Sequence, residues 1–120
     1  MKLGDVAGLT VPKMCLVAAP RSGGNICTRT FIPHVCHRSV GVLGAVTVAT
    51  TCLLPGSVTA GIAPVPDGED KTMVIEHPSG SFTVRIVVDE NDDGEIRIEK
   101  AGVIRTARML FSGEAFVRSS

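Results

Sequence analysis

The chain has no tryptophan, no tyrosine and only four phenylalanines. Any core must therefore be aliphatic. An excess of charge is also missing, since twelve basic residues face twelve acidic ones and the net charge is zero. That removes the electrostatic case for a nucleic acid or an anionic membrane as partner. Cys15, Cys27, Cys36 and Cys52 form no Cys-x-x-Cys pair. A disulfide framework is not expected, and reduced thiols in the cytoplasm are the default. Met1-Lys2 leads into no apolar stretch ending in a small-residue cleavage site, so no signal peptide is expected. The one helix candidate, at about 37–53, is short of the roughly 20 residues that a membrane span needs and contains several threonines.

Glycine and β-branched residues are plentiful, with 13 glycines in 120 residues. They favour strands and tight turns over a helical bundle. A chain of this length supports one domain with a modest core. Residues 1–10 read as a polar lead-in segment.

One stretch organises the rest, Cys36 to Leu54, CHRSVGVLGAVTVATTCLL. It is uncharged after Arg38 and stops at Pro55-Gly56, which cannot continue a helix. Its pattern predicts a helix at about 37–53. Valines, threonines, Gly41 and Gly44 make it a poor helix by propensity, so tertiary burial must support it. Its apolar residues keep to no single stripe, which predicts enclosure on most sides by a sheet. Gly41, Gly44 and Ala45 would admit another backbone.

Strands are expected at Val11–Ala19, Ile26–Ile32, Ser57–Ile62 and Thr72–His77. Phe82, Val84, Ile86 and Val88 alternate with Thr83, Arg85 and Val87, the signature of a half-buried strand. Ile96 to Glu99 alternates likewise, and further strands are expected at Val103–Phe111 and Glu114–Arg118. A repeated βαβ rhythm is absent, so the class is α+β, one dominant helix with a mostly antiparallel sheet.

Asp89 to Gly94 imitates the opening of a calcium loop. The bidentate glutamate such a loop needs at its twelfth position is Lys100 here, so a solvated turn is expected. His34-Val35-Cys36-His37 offers three potential zinc ligands, but a fourth is not evident and no metal is expected. An anion site suits these residues better. A helix start offers free N–H groups and partial positive charge. Arg29, His34, His37 and Arg38 would add donors, Ser39 would cap the helix or donate to a substrate oxygen, and Arg21-Ser22-Gly23-Gly24 would add a backbone nest.

The blocks VPKMCLVAAPRSGG, TRTFIPHVCHRSVGVLGAVTVATTCLLPGS, EHPSG and AGVIRTARMLFSGEAFV resemble the C-terminal part of the 4-oxalomesaconate tautomerase and 2-methylaconitate cis–trans isomerase family. The resemblance implies a diaminopimelate epimerase-like fold of two similar halves, each a sheet curled around a central helix. It also implies a cofactor-independent proton transfer along an allylic system in an unsaturated tricarboxylate. By the same resemblance, the family's lysine and Cys-Gly-Asn block belong to the other half, and neither is seen here. The chain is thus expected to be a C-terminal half, inactive alone, with Arg29, His34, His37 and Ser39 as its substrate contacts. The rival expectation is a non-catalytic, carboxylate-binding or self-associating remnant. Expected partners are the polycarboxylate and either an N-terminal half or a second copy, since a bare inter-half face favours association. Val35 departs from the basic residue expected in the tautomerase block.

Overall fold

The computed structural model describes residues 4–9, 11–90 and 95–117. Six strands and one helix are formed: β1 (Met14–Ala18), β2 (Ile26–Ile32), β3 (Val35–Cys36), α1 (Val42–Leu53), β4 (Asp70–His77), β5 (Gly80–Glu90) and β6 (Ile96–Val103). The sheet runs β1-β2-β4-β5-β6, with β3 also paired to β2. Every pairing is antiparallel except that of β2 with β4, so the sheet is mixed. The class is α+β.

The period-two pattern sets which side chains meet. Met73 and Ile75 of β4 lie opposite Val84 and Phe82 of β5, so these share a face. That face carries Ile26, Ile86 and Val88 as well, and it buries against Ala45, Val48, Ala49, Cys52 and Leu53 of α1. Val87 faces Lys100 while Val88 faces Ile98, leaving Glu99 as the extra residue of a bulge. The bulge keeps Ile96, Ile98 and Val103 of β6 packed against the core.

The helix departs from expectation in two ways. It begins at Val42, not at residue 37. The backbone before it is already committed to β2: Val35 and Cys36 pair with Ile32 and Phe31, and the His37 N–H donates to Thr30 O at 2.7 Å. It is also not enclosed. Val42 and Leu43 are 44% and 83% exposed, because the sheet stays open and α1 lies on one face of it. The threonines are reconciled with the helix by back-bonding. Thr47 donates to Leu43 O and Thr51 to Thr47 O, both at 2.8 Å. A Cβ added at Gly41 would meet nothing within 4 Å, and one added at Gly44 would meet only the Val40 side chain at 3.5 Å, so no other backbone packs there.

Three expected strands are replaced. Residues 57–62 form successive turns, with Ala60 N–H donating to Ser57 O and Ile62 N–H to Thr59 O. β6 ends at Val103, and residues 104–117 are exposed and carry neither strand nor helix, because no strand lies beside them. Arg118, and residues 91–94 of the calcium-loop imitation, lie outside the described residues; Asp89 and Glu90 close β5. Among the described residues no helix is long and apolar enough to cross a membrane.

Candidate functional site

The parallel seam between β2 and β4 carries a dense polar construction. Cys27 sits opposite Glu76, and the loop before β2 folds over the end of β4. Asn25 extends the ladder with its side chain. Its N–H donates to Val74 O at 2.8 Å, its Oδ1 accepts from Val74 N–H at 2.7 Å, and its Nδ2 donates to Pro64 O at 2.7 Å. Next to it, the N–H groups of Arg21, Ser22 and Gly24 converge on the Glu76 carboxylate at 2.8, 2.7 and 2.9 Å. The backbone nest exists as expected from the sequence, but an internal carboxylate fills it.

The Arg21 N–H foremost, then that of Gly24, holds the Glu76 carboxyl below its usual value, against the opposing effect of burial. A depressed folded value stabilises the fold above the unfolded pKa and loses that contribution as pH falls through the folded one. Titrating urea unfolding from pH 7 downward should therefore show the midpoint falling below about pH 4.3. The Glu76→Gln chain should start less stable and vary less over that range.

Beside this nest, on the sheet face away from α1, lies a cavity of about 410 Å³ lined by Arg21, Cys27, Arg29, Glu76, His77 and Ser81 among others. Arg29 is braced by donating to Thr28 O at 2.7 Å and to Cys27 Sγ at 3.4 Å. Two guanidinium groups thus share the cavity with one carboxylate whose lone pairs are already engaged by amides. The surplus positive charge suits a carboxylate ligand.

The turn His77–Gly80 borders this cavity and also reaches the approach to the helix. Ser79 donates to Arg38 O twice, from its N–H at 3.1 Å and from its hydroxyl at 2.6 Å. The helix itself starts at Gly41 without a side-chain cap and without an acidic residue in its first turn. Ala45 N–H makes the first intrahelical bond, to Gly41 O at 2.8 Å, so the amides just before it face outward as donors. A second cavity, of about 420 Å³, opens between this end of α1 and the strands, with Lys13, Cys15, Thr30, His37 and Gly44 in its wall.

The four residues expected at one site are placed apart. Arg29 lines the first cavity and His37 the second. His37 Nδ1 lies 2.9 Å from Ser39 O and 3.1 Å from Ser39 N, so the ring folds back on the pre-helix bend. His34 lies in a third cavity, its Nε2 2.7 Å from Ala7 O. Ser39 is half-buried on the segment between His37 and the helix start and does not cap it. Sequence reasoning named Arg21 only for its backbone nest, and missed Glu76, His77 and Ser79 as residues of this site. The available signal was Glu76, an acid set directly after the apolar run Met73-Val74-Ile75. Cys52 is buried against Thr59, and desolvation pushes its thiol upward, in keeping with an inert core residue.

The sequence pattern of the family described as PrpF protein matches residues 4–118. The chain is 52% identical over 113 residues to the 4-oxalomesaconate tautomerase of Pseudomonas putida KT2440, covering 94% of this chain and 30% of that protein. It is 51% identical over 117 residues to the (4E)-oxalomesaconate Delta-isomerase of Novosphingobium sp. strain KA1, covering 98% of this chain and 32% of the relative. The chain therefore spans about a third of the length of these relatives.

Proposed function

Because this chain belongs to the PrpF protein family, we propose that it is the carboxylate-holding C-terminal half of an allylic isomerase, of diaminopimelate epimerase-like fold. Its substrate class is an unsaturated tricarboxylate such as 4-oxalomesaconate. The observation that supports this reading most is identity above one half, over nearly the whole chain, to two proteins named as oxalomesaconate isomerases.

Each residue has a role in that chemistry. Arg29 grips one carboxylate in a bidentate fork, with Arg21 adding charge from the same cavity. The outward amides at the start of α1, with His37 and Ser39 just before them, border the separate second cavity and offer a second carboxylate site there. When a proton leaves the allylic carbon, the new charge spreads onto the conjugated carboxylate. Preoriented N–H dipoles stabilise that charge without reorganising. His34, held by Ala7 O, positions the segment leading to His37. The base belongs to a complementary half, as the absent lysine and Cys-Gly-Asn block implies, and no metal or organic cofactor is required. The alternative, a carboxylate-binding domain without catalysis, shares the same grip.

The purified chain should bind the tricarboxylate by calorimetry without turning it over by ultraviolet absorbance. Arg29→Gln should weaken binding by about tenfold, equivalent to roughly 1.4 kcal/mol. Turnover on the order of 10 per second by the chain alone would overturn the assignment of the base to another half. Absence of binding would overturn the carboxylate grip.

A further inference from the structure

Glu76 shares a cavity of about 410 Å³ with Arg21 and Arg29, yet it forms an ion pair with neither. Among the described residues the ion pairs are Arg85 with Asp70 and Arg97 with Glu99. Asp70 gives an internal comparison, since it belongs to β4 as Glu76 does. Among the described residues no backbone amide holds Asp70. Its carboxylate takes the Arg85 guanidinium in a fork, with Nε 2.8 and 3.1 Å from the two oxygens.

Glu76 is held differently. Its oxygens accept from the N–H groups of Arg21, Ser22 and Gly24. Gly23, with φ at +81°, supplies the left-handed turn that aims these amides at one point. The backbone beneath is fixed as well, because the buried Thr28 hydroxyl donates to Glu76 O at 2.7 Å. After the Arg21 and Gly24 amides, the Arg21 charge also helps to hold the Glu76 carboxyl low, so that guanidinium lies within electrostatic reach. The acid is thus seated away from a cation whose charge it feels.

We propose that Glu76 is a positioning residue whose seat in the nest keeps its charge off Arg21 and Arg29, so that both guanidinium groups stay open to the carboxylates of a ligand. The role rests on the carboxylate grip proposed for this cavity. Released from its amides, the same side chain becomes an internal competitor, placed toward the arginines as Asp70 is toward Arg85. The nest therefore restrains an anion that the grip would otherwise capture first.

Two pairs of variants separate this role from a merely structural one. Glu76→Asp keeps the charge but is one methylene too short to meet all three amides, whereas Glu76→Gln removes the charge. In calorimetry with tricarballylate, a stable saturated tricarboxylate, Glu76→Asp should bind about fivefold more weakly than Glu76→Gln. Gly24→Ala crowds the seat, its Cβ falling 2.8 Å from Glu76 Cγ, and so frees the acid. It should weaken binding by about tenfold. Combining it with Glu76→Gln should recover most of that loss, although two native residues are then gone. Nuclear magnetic resonance gives a readout without ligand: the Nε–H signals of Arg21 and Arg29 should move in Gly24→Ala and return in the double variant. If Gly24→Ala unfolds, the Asp and Gln pair decides alone.

Glu76→Asp binding as tightly as Glu76→Gln, or a double variant as weak as Gly24→Ala, would overturn the role. A wild-type chain that binds no tricarballylate would instead overturn the grip. Arginine signals unmoved by Gly24→Ala would then overturn the restraint of Glu76 as well.

Discussion

Replacing Ile75 with alanine should cost about 2–5 kcal/mol of folding stability, the range for large-to-small changes in a sealed core. Ile75 is 0% exposed and lies where the parallel and antiparallel parts of the sheet meet, opposite Ile26 on one side and Phe82 on the other. With almost no aromatic bulk elsewhere, the core has little soft material to collapse into the void. A domain of this size shifts its melting midpoint by several degrees for each kcal/mol. Urea unfolding followed by circular dichroism should therefore show the variant partly or wholly unfolded at 37 °C. A loss under 1 kcal/mol would mean that the seam can relax around the cavity.

Alanine at Gly24 should destabilise by about 1–3 kcal/mol, the range for an overpacked site. An added Cβ would lie 2.8 Å from Glu76 Cγ, 2.9 Å from Val74 O and 3.0 Å from Glu76 Oε1. None of these atoms is free to retreat. The carboxylate is held by three amides and the carbonyl by the Asn25 N–H. Gly41→Ala supplies the control, since its Cβ would meet nothing within 4 Å. Thermal melts of the two variants should differ clearly. Equal melts would show that the loop over Glu76 is able to move aside.

Much of the fold was legible in the residues themselves. Ile26–Ile32 is a strand as read, and the alternation from Phe82 to Val88 marks β5 because one face of it is buried. Regions that depend on distant partners were less legible. The start of α1 is decided by β2, which recruits Val35, Cys36 and the His37 amide, and nothing local announces that competition. Residues 104–117 have the composition of strands, but a strand needs an edge to pair with. At the site, the glycine-rich loop announced a nest and not its occupant. Recognising Glu76 as that occupant requires knowing that β2 and β4 run side by side.

That parallel seam also governs how the chain reaches its native state. Asn25 and Val74, whose groups zip it shut, lie 49 positions apart. They can meet only after the intervening crossover, helix included, has been reeled in, whereas the β4–β5 hairpin closes through a turn of two residues. Contacts between remote positions form slowly. In a refolding experiment read by pulsed hydrogen exchange, the hairpin amides should gain protection early and the Asn25 and Val74 amides late.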